Sequence, residues 1–312
     1  MRNGLVSLMF LFLYACNKDN NGSLIENRIN QLENIFQVRA IIPPSNHKGF
    51  FFQDISYGAN DRNTLDILLP NENAVDGLVI FFHGGAFVVG DKNQLFNEYF
   101  QSTISAVLEE NIAIVSANYT FLQTEGSQGV ISALNDGADV ISFITQHLSI
   151  LKVPQNKIVL AGASAGAGIS FWNGFREVSN NQIQGIMTLE AQSTYDLYEW
   201  ENVFNGFFID EMRESYPELN QIFISFYGGN PSEEQRQLLD YRSQMDPEDP
   251  PFYVYNQAGK ELITSDGEID FDVLYHSFLH GDYLRNKAIE VGLDFSGAYQ
   301  ELPEEFIIRM LQ

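Results

Sequence analysis

In 312 residues the chain carries 41 Asp plus Glu against 17 Lys plus Arg, a formal charge of −24 with histidine neutral. Such a surface repels phosphate backbones and anionic membrane surfaces, which excludes a nucleic-acid-binding function. At 45% hydrophobic and 19% charged, the composition supports a large buried core, in one large domain or two ordinary ones. One cysteine rules out an internal disulfide framework, no Cys/His cluster has metal-site spacing, and no cofactor is implied. Chemistry is left to Ser, His and the carboxylates.

The chain opens on what reads as an address. Arg2 supplies a positive start, Gly4 to Tyr14 form an apolar run too short to span a membrane, and Ala15 places a small residue before Cys16. This resembles a bacterial lipoprotein signal with Leu13-Tyr14-Ala15-Cys16 as its lipobox. The resemblance implies removal of residues 1–15, lipid attachment at Cys16, a polar tether over residues 16–23, and a place in the bacterial cell envelope. An ordinary secretory leader is the alternative.

From Leu24 to Ile42, apolar residues at helical spacing predict a helix that Pro43-Pro44 breaks. Phe50 to Tyr57 and Thr64 to Leu69 read as a β-hairpin around Gly58-Ala59-Asn60-Asp61. After Pro70 the runs Leu78 to Phe82, Ile112 to Ala117, Lys157 to Ala161, Ile186 to Leu189 and Phe252 to Tyr255 are almost continuously apolar. Strands apolar on both faces belong inside a parallel sheet covered by helices. Helical periodicity over Leu95 to Glu109, Val130 to Leu148, Ile169 to Val178 and Val273 to Val291 supplies the cover. The pattern predicts an α/β fold with a doubly wound, mostly parallel sheet and an antiparallel hairpin at its start, filling residues 24–312. Its ligand crevice is expected at the carboxyl ends of the strands. The long aromatic and acidic stretch 191–251 breaks the alternation and reads as an insertion over that crevice, or as an extra helical pair on the sheet edge.

Gly162-Ala163-Ser164-Ala165-Gly166 lies between a strand and a helix, the context a nucleophile elbow needs. His83-Gly84-Gly85-Ala86-Phe87 ends another buried strand, where small residues let backbone N–H groups approach a reacting carbonyl. With the N–H of Ala165 these can form an oxyanion hole. His83 reads as a residue that holds the loop, not as a base. At these residues, and at Thr64-Leu65-Asp66-Ile67, Gly90-Asp91-Lys92, Asn118-Tyr119 and Asp249-Pro250-Pro251, the chain resembles the α/β-hydrolase fold, in its esterase and lipase branch that includes acetyl and feruloyl esterases. The resemblance implies Ser164 as nucleophile, Gly84, Gly85 and Ala165 as oxyanion donors, and carboxylic esters with short acyl or aryl groups as substrates, those on polysaccharides among them.

The chain departs from that pattern twice. Thr120 stands where the family often has an arginine, and residues 281–312 contain no histidine, although the family's base normally follows the last strand. A serine hydroxyl needs a base within about 3 Å. Among the five histidines, His276 and His280 lie after the late strand on what reads as one helix face, and His276 starts nearer the crevice. Asp270 precedes Val273 as in the family's acid loop, with Glu190 and Asp272 as competitors. The expected triad is Ser164, Asp270 and His276. A hydrolase-fold binding lipoprotein without a base is the other reading.

Overall fold

The structure, a computed structural model, describes residues 16–72, 74–176 and 182–312, with only the backbone described for residues 16–23. The expected signal segment lies outside the described residues, and the segment read as a tether is helical backbone. It opens α1 (Cys16–Phe36), which stops earlier than Pro43-Pro44 predicts because Gln37 takes a left-handed φ of 57°.

Among the described residues, nine strands form one sheet in the order β1-β2-β3-β5-β4-β6-β7-β8-β9. These are β1 (Ala40–Ile41), β2 (Phe50–Ser56), β3 (Thr64–Leu69), β4 (Gly77–Phe82), β5 (Ile112–Ala117), β6 (Ile158–Ala163), β7 (Ile183–Leu189), β8 (Phe252–Tyr255) and β9 (Phe295–Ser296). Strands β1, β2, β3 and β5 pair antiparallel in succession, and every pairing from β5–β4 to β8–β9 is parallel. Every residue of β4 and β5 is buried, which is why those segments carry no polar alternation. One face is covered by α1, α3 (Val130–Leu151) and α4 (Ala165–Gly174), the other by α2 (Gln101–Glu109) and the C-terminal α10 (Pro303–Leu311).

The helix expected from Leu95 begins as two 3-10 turns, Lys92–Phe96 and Glu98–Phe100, because Asp91 and Asn97 each cap a new start. The insertion holds a 3-10 turn (Leu197–Asn202) and three helices: α5 (Ile209–Ser215), α6 (Pro217–Tyr227) and α7 (Glu233–Leu239). Leu197, Ile209, Leu219 and Phe223 from these elements line a cavity that Ser164 also lines, so the insertion roofs the crevice.

The periodic run Val273 to Val291 is two helices, α8 (Phe271–His276) and α9 (Phe278–Val291). Ser277 sits between them at φ −53°, ψ 141°, and its hydroxyl accepts the Leu279 N–H as an N-cap. His276 and His280 therefore do not share a helix face, as their spacing predicts, but leave the chain on either side of a break.

Helix α4 rests directly on the end of β4, because a Cβ on Gly166 would lie 2.0 Å from the Phe82 carbonyl oxygen. Gly166→Ala must push helix and strand apart, and we expect a loss of about 1–3 kcal/mol in chemical denaturation. An unchanged midpoint would mean that the helix does not pack at this distance.

Candidate active site

Strand β6 delivers Ser164 into a turn at φ 51°, ψ −117°, a conformation that L residues adopt only under constraint. Two contacts supply the constraint. The Ser164 N–H donates to the Leu189 carbonyl at 2.9 Å, tying the turn to the end of β7. Gly162 lets the following turn fold back on it, since a Cβ there would meet the Gly166 carbonyl oxygen at 2.1 Å. Ser164 is half-buried and faces the cavity. Ala165 is the first residue of α4, so its N–H has no intrahelical partner and points with the helix dipole toward the serine.

The loop after β4 closes the other side. Gly85, Ala86 and Phe87 all have positive φ, at 118°, 51° and 61°, and the Gly85 carbonyl accepts the N–H groups of Val88 and Val89. A Cβ on Gly84 would come within 3.1 Å of the Ala163 carbonyl oxygen and 3.4 Å of Ser164 Cβ, so this loop is seated against the elbow. Of the residues expected as oxyanion donors, Gly84 thus approaches the elbow, and Gly85 and Ala165 line the cavity beside Ser164.

His83 is buried and neutral. Its Nδ1–H donates to the Gly84 carbonyl at 2.6 Å, Nε2 accepts from Arg62 at 3.3 Å, and the ring stacks on Tyr119 at 4.4 Å. Burial, together with the arginine's charge, lowers its pKa to about 4. Arg62 also donates to the carbonyls of Tyr119 (2.8 Å) and Gly90 (3.2 Å) and lies 3.6 Å over the Phe121 ring. The cation absent at Thr120 is delivered from the β2–β3 turn, while the Thr120 N–H is held by Asp136 at 2.6 Å. Nothing in the spacing of Arg62 announces this.

The scattered family motifs meet in one polar network under the loop. The Lys92 N–H donates to Asn118 Oδ1 at 2.7 Å, Asn118 donates to Asp91 at 2.9 Å, and Ser116 Oγ donates to the Lys92 carbonyl at 2.7 Å. Lys92 Nζ reaches Asp54 at 2.6 Å and the fully buried Asp66 at 3.3 Å. Burial raises the Asp66 pKa to about 6 against the pull of that ammonium.

Ser164 Oγ and His276 Nε2 are 2.9 Å apart. His276 Nδ1 lies 2.7 Å from Asp272 Oδ1. The carboxylate holds the proton on Nδ1 and leaves the Nε2 lone pair to accept the serine hydroxyl. Asp270, expected as the acid, does something else: its Oδ1 accepts the N–H groups of Asp272 (3.0 Å) and Val273 (3.1 Å) and caps α8. An N-cap carboxylate turns back onto its own helix, whereas Asp272, four residues before His276, shares its face. That spacing was the available signal. Asp272 is 74% exposed. Glu190 ends β7 at a left-handed φ of 52° and accepts the Gln257 N–H at 3.2 Å. Burial raises its pKa, and the charge of His276 pulls it partly back.

The remaining histidines are committed elsewhere. His47 meets Ser105, and His147 packs between Phe36 and Phe143. His280 is completely buried, where Nδ1 accepts the Ser193 N–H at 3.2 Å and Nε2–H donates to the Leu274 carbonyl at 2.9 Å.

A doubly wound sheet carrying a serine elbow, an amide-rich loop beside it and an imidazole on the hydroxyl defines an α/β-hydrolase with an esterase-type site. The chain belongs to the BD-FAE family, whose model matches residues 65–268. It is 35% identical over 123 residues to an isoprenylcysteine alpha-carbonyl methylesterase (ICME) of Arabidopsis thaliana, covering 38% of this chain and 26% of that protein. To the probable methylesterase ICMEL1 of the same plant it is 25% identical over 264 residues, 78% of this chain and 53% of that protein. The chain thus spans from about a quarter to about half the length of these curated relatives. A truncated carbohydrate esterase from gut microbiota superposes with a TM-score of 0.64 at 13% identity, over 87% of this chain and 98% of that one. Esterase B from Lactobacillus rhamnosis does so at 0.57 and 15%, over 89% and 85%. The superpositions show the shared fold.

His280 makes the region under α8 acid-sensitive. Burial lowers its pKa from 6.5 to about 4, and a proton on Nδ1 would give up the Ser193 N–H bond at 3.2 Å and keep only the Ser193 hydroxyl, at 2.9 Å, as a partner. With the folded value depressed, the stability His280 contributes is present above pH 6.5 and is lost as pH falls toward 4, by about 1.4 kcal/mol per pH unit. Denaturation of the wild type and His280→Gln at pH 7 and pH 5 should show the wild-type advantage shrinking by about 2 kcal/mol. An advantage independent of pH would exclude this titration.

Proposed function

We propose that this protein hydrolyses carboxylic esters through an acyl-enzyme on Ser164. The observation that carries this reading is the 2.9 Å contact between Ser164 Oγ and His276 Nε2, with the imidazole oriented by Asp272. His276 takes the hydroxyl proton as Oγ attacks the ester carbon. The developing oxyanion is received by the N–H groups of Gly84, Gly85 and Ala165, each such donor being worth about 3–4 kcal/mol in the transition state. The C–O bond to the alcohol breaks as His276 returns the proton to the leaving oxygen. Water then enters, gives its proton to the same nitrogen and releases the acid.

The alternative of a hydrolase-fold binding protein requires the base to be missing, and the position of His276 counts against it. Short acyl or aryl esters, including those carried by polysaccharides, are the substrates that the family resemblance implies. The carbohydrate esterase among the structural neighbours is compatible with them. We propose also that Cys16 carries a lipid that holds the acidic domain at the bacterial cell envelope. Metabolic labelling with an alkyne fatty acid should mark the wild type and not Cys16→Ser, and equal labelling would defeat the anchor.

The triad predicts an ordered set of losses. Ser164→Ala should abolish fluorophosphonate labelling and hydrolysis of a p-nitrophenyl ester. Asp272→Asn should lower kcat/KM by about 10- to 1,000-fold, less than the roughly 10,000-fold for a buried triad acid, because solvent screens this one. Asp270→Ala should cost about 1 kcal/mol of stability and lower activity less than Asp272→Asn. Greater activity loss at position 270 than at 272 would reverse the assignment of the acid.

A further inference from the structure

The cavity beside Ser164 has a volume of about 470 Å³. Phe87, Val89, Ile209, Leu219, Phe223 and Phe226 dominate its wall, and among the residues that line it none is Asp, Glu, Lys or Arg. Three of its polar side chains already donate to backbone carbonyls of the protein. Tyr195 Oη donates to the Ala165 carbonyl at 2.9 Å, Trp200 Nε1 to the Thr194 carbonyl at 3.0 Å, and the Gln192 amide nitrogen to the Tyr275 carbonyl at 2.8 Å. The mouth is apolar too, since Val88, Val89 and Ile222 line the cavity and remain 40%, 58% and 38% exposed.

Beyond Ser164 and His276, the side chains without a hydrogen bond that sugar hydroxyls could meet are the Tyr275 hydroxyl and the Gln192 amide oxygen, too few to replace the water they would lose, which opposes their entry. An acetyl group would leave most of the volume unfilled, for cavities of a few hundred Å³ ordinarily enclose a drug-sized group. A fixed charge on the substrate would meet no Asp, Glu, Lys or Arg side chain among the residues that line the cavity. We infer that the site is built for esters carrying an uncharged, apolar chain of medium length, about eight to ten carbons, held against the insertion helices α5 and α6. The inference rests on the esterase reading of Ser164 and adds which esters it takes. The chemistry balances as above: the alcohol leaves with the proton from His276, and water supplies the hydroxyl of the acid.

The same apolar chain could enter on the acyl or on the alcohol side of the ester, and two substrate series separate the cases. Hydrolysis of p-nitrophenyl esters from acetate to decanoate, below their aggregation limits, varies the acyl chain. A pH-stat series of alkyl acetates from ethyl to octyl varies the alcohol. In one of them kcat/KM should rise by about two- to fourfold per methylene up to eight carbons, as each buried methylene allows. Ile222→Glu, at the half-open wall, should flatten that rise, with its thermal midpoint reported alongside. Hydrolysis that is flat or falling with chain length in both series, while the fluorophosphonate still labels Ser164, overturns the inference and leaves the esterase standing. Preference for acetylated xylo-oligosaccharides over p-nitrophenyl octanoate does the same. Failure of every ester together with failure of labelling overturns both.

Discussion

At φ 51° and ψ −117°, Ser164 holds a conformation that costs on the order of 1–3 kcal/mol, and the chain keeps it because its surroundings leave no alternative. Its N–H is tied to Leu189 on the next strand, and helix α4 is pressed so close to β4 that only glycine fits at 166. Relaxing the turn would break the hydrogen bond to β7 and drive α4 off the sheet. The strain therefore draws on the packing of the central strands β4, β6 and β7, whose buried aliphatic faces supply the stability. The hydroxyl stands above the sheet as a consequence, with the first amide of α4 beside it.

Getting an imidazole to that hydroxyl is a separate problem, solved at the end of β8. Asn256 follows the strand directly. Its amide nitrogen donates to the carbonyls of Ala191 (2.7 Å) and Ser277 (3.1 Å), and its oxygen accepts the Ala191 N–H at 3.0 Å. One side chain thus ties the start of the insertion to the break between α8 and α9. His280, on the far side of that break, bonds Ser193 and the Leu274 carbonyl, and Gln192 bonds the Tyr275 carbonyl. Helix α8 is six residues long and could not hold its direction alone; these tethers aim it. The roof of the cavity and the base of the triad are fastened at the same points, so the insertion orients catalytic groups as well as enclosing substrate.

The parts of the molecule that a local pattern determines were legible in the sequence. Continuous apolar runs located the central strands, and the glycines around Ser164 and after Phe82 marked the two tight backbone approaches. The His276 position followed from elimination, since residues 281–312 offer no imidazole. What escaped depended on direction instead of pattern. Apolar periodicity continues through Ser277, so nothing periodic marks the break that one capping hydroxyl makes. Asp270 and Asp272 differ by two residues and by nearly opposite sides of a helix, which only the start of α8 decides. Arg62 reaches the oxyanion loop from a turn about twenty residues upstream of His83, through a tertiary contact that no local spacing encodes.

The His276 imidazole has two carboxylates in its surroundings that differ in their setting. Asp272 makes the hydrogen bond and selects the tautomer, but at 74% exposure its charge is largely screened by water. Glu190 is half-buried, and burial raises its pKa against the lowering effect of the Gln257 N–H and of His276. The hydrogen bond and the burial, which a single acid combines in the serine-triad template, are here divided between a solvated helix residue and a half-buried residue after β7. The division follows from the position of the base. An imidazole carried on a short helix near the surface can have its acid one turn away on that helix, and the cost is that water competes for the bond. Glu190 directly follows the strand whose last residue, Leu189, holds the Ser164 turn, so both residues are anchored at the same end of β7.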